Sequence, residues 1–294
     1  MTPPLVRAIL ATTVALTIAA CGSDDESSSS SKPQNLAVEV TGQGQGKFSL
    51  EAPESVEAGV VEISLETPGD QTSQDAQTSH DAQLVRVEGD HSVDEVLEFI
   101  AKEGAPTPDW LFAAGGVGPT ATGATATQQL TPGKYFILDT GEPEGDDVKS
   151  YAEEGATAAL EVTGEATDAE LPSADAKITA TEYSFTADGL KAGKNEVEFD
   201  NAGKDLHHVI AFPYAEGADF AAVKKVFSEM GEPSGPPPLD FEGITASAVL
   251  EGGTKQVAEL DLKRGKYALV CFVSDRKGGP PHVAKGMITE AVVK

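Results

Sequence analysis

Residues 267–287 carry three side chains whose types and order suit a soft metal ion: Cys271, His282 and Met287. An apolar strand-like run, Tyr267 to Val270, delivers the cysteine to its end. A loop containing Gly278, Gly279, Pro280 and Pro281 follows, and the histidine and methionine then return five residues apart. Thiolate, imidazole and thioether are soft or borderline ligands suited to copper, and two histidines, one cysteine and a weak axial methionine make up the blue-copper set. The second histidine must come from elsewhere. His207 and His208, at the start of the apolar run Val209 to Phe212, can supply it. Successive side chains on a strand point to opposite faces, so only one of the two can face such a site. The phase of Ile210 and Phe212 favours His208.

The elements that must position these ligands read as strands. Leu36 to Val40 and Val60 to Leu65 alternate apolar and polar residues with period two, and Gly/Pro turns break the chain into short runs throughout, the habit of an all-β sandwich. A helix is predicted over 92–102, with Ser92 as N-cap, Glu95 completing a capping box, and Gly104 beyond its end. Trp110 and Phe112 read as core aromatics. The Gly-rich stretch 115–123 lacks a phosphate-binding lysine and reads as a loop between strands.

With an early histidine and a C-terminal Cys…His…Met loop hung between the last two strands, residues 176–294 resemble the cupredoxin (plastocyanin/azurin-like) family. The turn Asn201-Ala-Gly203 ahead of the histidines is also similar to that family's Asn-x-Gly turn, a spacing that favours His207. The resemblance implies a Greek-key β-sandwich holding one type 1 copper ion through His207 or His208, Cys271, His282 and Met287, and a protein that carries electrons. The chain departs from the family in one respect: ten residues separate Cys271 from His282, more than the family usually has.

An internal repeat extends this plan to the first half. Residues 56–69 match 190–203, Val96 to Ile100 match Val223 to Phe227 (with Gly104 matching Gly231), and Leu130 to Leu138 match Leu262 to Val270. A repeat unit of about 130 residues denotes two homologous domains, not a solenoid. The fold class expected is therefore all-β with a short helix per domain, as two tandem cupredoxin-like sandwiches over 36–171 and 172–294. The repeat places Asp139 opposite Cys271, Tyr151 opposite His282 and Ala156 opposite Met287, while His80 sits where the early histidine belongs. A carboxylate, a tyrosine and an alanine make no soft copper site, so the first domain reads as one without copper. A tandem six-residue duplication, 72–77 then 78–83, also runs through His80, with Gln74 in its place in the first copy.

Cysteine usage fits this scheme. Cys271 and Cys21 are the only two, and Cys21 closes a secretion-type segment: Arg7, an apolar run over 8–20, and Ile18-Ala-Ala-Cys21, which resembles a bacterial lipobox. Residues 1–21 are expected to be a cleaved lipoprotein signal with Cys21 lipidated, and the acidic, Ser-rich 22–35 a flexible tether. The protein would then be extracytoplasmic and anchored to a membrane through lipid, and Cys271 would be an unpaired thiol in an oxidising compartment. Metal ligation accounts for such a thiol. The net charge of −27, with 21 basic residues against 48 acidic, argues against nucleic acid and against electrostatic binding to anionic lipid. It suits a soluble surface or a basic redox partner. No Gly-x-Ser-x-Gly, His-Glu-x-x-His or Walker motif is present, and no enzyme activity is expected. The alternatives are a metal-free extracytoplasmic binding or structural module, and a copper delivery or storage protein using the same ligands.

Overall fold

The structure, a computed structural model, describes residues 33–42, 48–68, 79–143, 148–166, 169–229 and 236–294. The secretion-type segment with Cys21, most of the tether, the first copy of the duplication and Gly231 lie outside the described residues. No helix among the described residues is long and apolar enough to cross a membrane.

The first half contributes β1 (Gln34–Thr41), β2 (Ser49–Glu51), β3 (Ser55–Glu57), β4 (Gly59–Glu66) and β5 (His80–Val87). After α1 (Val93–Ile100) come β6 (Leu111–Thr120), β7 (Ala124–Leu130), β8 (Gly133–Leu138) and β9 (Thr157–Thr163). The second half contributes β10 (Ala176–Thr181), β11 (Ser184–Asp188), β12 (Gly193–Asn201) and β13 (Ile210–Pro213). Then follow α2 (Phe220–Glu229), β14 (Thr245–Ala246), β15 (Lys255–Leu262), β16 (Gly265–Val270) and β17 (Ile288–Val293). The first strand thus starts at Gln34, inside the stretch expected to be tether. The alternation in β1 is as its sequence requires: Leu36, Val38 and Val40 are buried and the residues between them exposed.

Both halves use the same pairings. In the first, β1 pairs with β2 antiparallel and with β4 parallel, and β4 pairs with β7; in the second, β10 pairs likewise with β11 and β12, and β12 with β15. The layer facing these strands is β3-β9-β8-β5-β6 in the first half and β14-β13-β16-β17 in the second. β15 and β7, which would otherwise leave unpaired backbone at two sheet edges, pair with each other through Val257 and Thr127. One eight-stranded sheet therefore runs through both halves.

The apolar side chains gather between layers. One cluster holds Leu36, Ile63, Leu84, Ile137 and Leu160, with Ala258 reaching in from β15. A second holds Ile178, Phe199, Val209, Leu269, Cys271 and Met287. α1 closes the first half over Val85, Val87 and Phe136 through Val96. Ser92 caps it as the sequence predicts, accepting from the Glu95 N–H while Glu95 accepts from the Ser92 N–H at 2.8 Å.

Two expectations are corrected. The Gly-rich stretch is not a loop: residues 115–120 continue β6, and glycine is required there by close backbone contact. A Cβ on Gly116 would lie 2.0 Å from the Ala82 carbonyl oxygen, and one on Gly118 would lie 2.1 Å from that of Ala246. Phe112 is no core aromatic. It is half-buried beneath two guanidinium groups, Arg86 at 4.3 Å and Arg276 at 5.4 Å from its ring centre.

Candidate metal centre

Cys271 follows the last residue of β16, a strand paired on both sides, so its position is fixed by the sheet. His207 is held by two backbone bonds with Leu250, its N–H donating at 3.0 Å and its carbonyl accepting at 2.8 Å. The turn before it is tied by Asn201, which is fully buried. The Asn201 amide donates to the carbonyls of Asp205 and Leu250, and its oxygen accepts from the Gly203 N–H. His282 begins a short 3-10 turn in which its N–H donates to Val273 and the Val283 N–H returns to the Cys271 carbonyl.

These supports bring three donor atoms together. Cys271 Sγ lies 3.7 Å from His207 Nδ1 and 3.5 Å from His282 Nδ1, and the two nitrogens are 3.0 Å apart. All three residues are fully buried. Metal–nitrogen and metal–sulfur bonds of about 2.0–2.3 Å place ligands of one ion roughly 3–4 Å from each other, and the triangle has that size. Met287 is buried in the same apolar cluster as Cys271, and its N–H donates to the His282 carbonyl at 2.9 Å. A buried His–Cys–His set with a methionine close by fits one type 1 copper ion.

His208 is not part of this set. Its ring turns to the neighbouring backbone, where Nε2 accepts the Phe272 N–H at 3.0 Å. The phase argument that favoured it fails because β13 begins only at Ile210, so residues 207–208 are not in regular strand alternation.

Burial sets the protonation of the donors. It pushes the Cys271 thiol up to about 11, although the backbone N–H groups of His208 and Val273 favour the thiolate. Burial, then the nearby His282, pulls His207 down to about 4. His282 is also held below its ordinary value by burial, with Asp275 opposing the shift. At neutral pH without a cation the centre is therefore uncharged, with two neutral imidazoles and a thiol whose proton a metal would displace.

The sequence reading missed Asp275. It stands within the loop between Cys271 and His282, and its Oδ1 lies 2.9 Å from His282 Nε2. Lys285 Nζ and the Tyr183 hydroxyl also bond this carboxylate, which burial raises but these donors hold below the usual range. Accepting the Nε2 proton leaves the Nδ1 lone pair directed at the other two donors. Tyr183 has φ of +61°, the one positive φ outside glycine among the described residues, and from that turn its hydroxyl reaches Asp275. An acid seven residues before a ligand histidine is the only trace of this in the sequence.

The first half has the same backbone with other side chains. The Ala152 N–H donates to Asp139 as the Val283 N–H does to Cys271, and the Ala156 N–H donates to Tyr151 as the Met287 N–H does to His282. Here His80 Nδ1 lies 2.6 Å from Asp139 Oδ2, both buried, and the rings of His80 and Tyr151 are 4.9 Å apart between centres. His80 stands at the start of β5, so the second copy of the duplication is largely strand.

No protein-family description matches this chain, and no curated protein sequence does. Among solved structures it is similar to reduced auracyanin from Roseiflexus castenholzii, at 19% identity and a TM-score of 0.26 over 40% of this chain and 94% of that one. It is also similar to copper nitrite reductase from Nitrosomonas europaea, at 16% identity and a TM-score of 0.25 over 90% of this chain and 94% of that one. A multicopper oxidase shows 12% identity and a TM-score of 0.22 over 90% and 89%. Likenesses this distant assign neither family nor activity. What points to a metal is the set of donor atoms.

Proposed function

We propose that the chain is a cupredoxin-like electron carrier, anchored outside the cytoplasm by lipid on Cys21, with one type 1 copper ion in its C-terminal half. The two halves would be tandem sandwiches, 36–171 without copper and 172–294 with it. The observation that carries this proposal is the convergence of His207 Nδ1, Cys271 Sγ and His282 Nδ1 in a fully buried triangle.

Bound there, copper would supply a one-electron couple. The residues of the chain do the rest. Cys271, His207 and His282 are held by sheet and turn, so little rearrangement would be needed on gaining or losing charge. Asp275 fixes the tautomer and orientation of His282. Met287 and the surrounding apolar side chains keep water out and tune the potential. Enzyme chemistry is not part of the proposal, and a basic protein is the redox partner that the charge of −27 suits.

The test is an absorption spectrum of the purified protein titrated with Cu(II), repeated on Cys271→Ser. An intense visible band in the wild type that is lost in the variant is expected. Copper uptake with no such band would instead favour delivery or storage, and no uptake at all would leave a metal-free binding module.

A further inference from the structure

The ten residues between Cys271 and His282 are too many for a tight turn, and a free loop of that length would hold its histidine loosely. The loop is not free. Arg276, at its middle, extends its side chain onto the first half of the chain. Its Nη2 donates to the carbonyls of Pro108 at 3.2 Å and Leu111 at 3.1 Å, and its guanidinium lies 5.4 Å from the centre of the Phe112 ring. Its Nη1 donates to both carboxylate oxygens of Glu251, at 2.9 and 2.8 Å, and the Glu251 N–H in turn donates to the Ala113 carbonyl. Backbone bonds cross the same boundary: Thr107 N–H to the Arg276 carbonyl at 2.8 Å and Gly279 N–H to the Gly104 carbonyl at 3.0 Å. On the second half the Arg276 N–H is held by Asp205 at 2.9 Å.

Asp275, which holds His282, is the residue directly before Arg276. The side chain that orients the ligand and the side chain that docks the loop are thus neighbours on one stretch of backbone, with the docking partners at 104–112 in the other half. We propose that Arg276 is a positioning residue for the metal centre, and that residues 104–112 form the shelf on which the metal-binding loop is held. The inference rests on the copper proposal for the metal itself, and it gives the half without ligands a part in the site. The planar fork of arginine is needed because one side chain must bond a carboxylate and two carbonyls at once. A lysine can satisfy one of these directions but not all.

Four proteins test this: wild type, Arg276→Met, Arg276→Lys and Gly104→Ala. The last acts from the shelf side and touches nothing in the metal half except the loop. A Cβ on Gly104 would lie 2.8 Å from the Gly279 carbonyl oxygen, at a backbone φ of +66°. Two measurements need no metal: amide hydrogen exchange at Thr107, Gly279 and His282, and the rate at which a thiol reagent modifies Cys271. Two more use the copper-loaded protein: the position of the visible band and the rate of Cu(II) loss to a chelator. In Arg276→Met and Gly104→Ala the thiol reaction and copper loss are each expected to be about tenfold faster or more, with a shifted band, and Arg276→Lys to fall between.

The idea is overturned if the loop amides exchange faster while thiol rate, band and copper loss stay within about twofold of wild type, because docking would then only add stability. Wild-type protein that takes up no copper would defeat the functional proposal instead, and exchange and thiol rates would still decide whether the shelf orders the site. Should Arg276→Met fail to fold, Gly104→Ala and Arg276→Lys carry the same comparison.

Discussion

Replacing Asp275 with asparagine keeps the shape of the side chain that orients His282 and removes its charge. The carboxylate accepts from His282 Nε2 at 2.9 Å and also bonds Tyr183 and Lys285. Asparagine can present its oxygen to Nε2–H, but it can equally turn its NH2 there, and that orientation favours the tautomer with the proton on Nδ1, where a metal must bind. A hydrogen bond to a charged group contributes about 1.5–3 kcal/mol, and loss of an outer partner of a ligand histidine costs about 10–100-fold in affinity. The Asp275 side chain is 23% exposed, so water replaces part of what is lost and the lower end applies, about 10–30-fold. Competition titration with a chelator measures it, with Lys285→Met as the control for the disturbed lysine. His282 is already held below its ordinary pKa by burial, and removing the carboxylate lowers it further, so the ring is neutral at pH 7 with or without Asp275. The weakening should therefore be the same from pH 6.5 to 8. An affinity equal to wild type, or a loss that disappears as pH rises, would refute the assignment of Asp275 as the residue fixing the tautomer.

Three other outcomes are expected. Because burial pushes the Cys271 thiol up to about 11 while His207 is neutral above about 4, copper binding should release one proton, and apparent affinity should rise about tenfold per pH unit between roughly pH 6 and 9; a flat profile would mean that the thiolate is not a ligand. His207→Ala should abolish the visible band, whereas His208→Ala should keep it and lose only the acceptor of the Phe272 N–H, about 1–2 kcal/mol of stability by denaturant unfolding. In the first half, burial and then the neighbouring Asp139 raise Asp81 to about 7, so the folded state keeps a proton that the unfolded chain releases near pH 4; stability should fall as pH rises from about 4 to 7, and Asp81→Asn should remove that slope.

How much of this was legible in the sequence depends on the range of the interaction. The alternation of Leu36, Val38 and Val40 and the capping box at Ser92 are local, and each was readable from a few residues. The ligand set was readable because soft donors are rare in this chain: two cysteines, three methionines and five histidines leave few combinations. Between His207 and His208 the sequence could not decide, since the answer depends on where β13 starts and on the bridge between His207 and Leu250, forty-odd positions away. The Gly-rich 115–120 was misread for the same reason. Its glycines answer to the Ala82 and Ala246 backbones, contacts that no local pattern announces. Arg276 and Phe112 were opaque individually, an ordinary loop cation and an ordinary aromatic, and acquire meaning only as a pair across the two halves.

The two halves show how one backbone turn supports opposite electrostatic solutions. In each, the chain brings an early histidine beside the residue that follows a central strand, within a protein interior where an unbalanced charge is costly. In the first half the pair is His80 and Asp139, and the carboxylate also accepts the N–H groups of Asp81 and Gly141, so its demands are met by the protein itself. In the second the pair is His207 and Cys271. The backbone N–H groups of His208 and Val273 also face this sulfur, but burial drives its proton to stay, and His207 Nε2 has no hydrogen-bond partner among the described residues. A site whose donor atoms are crowded together and neutral gains from a cation in a way the first half cannot. Replacing Cys271 with a carboxylate should therefore not reproduce the first half: the His208 and Val273 N–H groups would meet it, but burial holds His207 neutral beside it; Cys271→Asp is expected to lose stability by several kcal/mol, where Cys271→Ser loses little beyond the metal. Thermal unfolding of the two metal-free variants makes the comparison, and equal midpoints would show that the ligand cavity tolerates a buried charge without an ion to balance it.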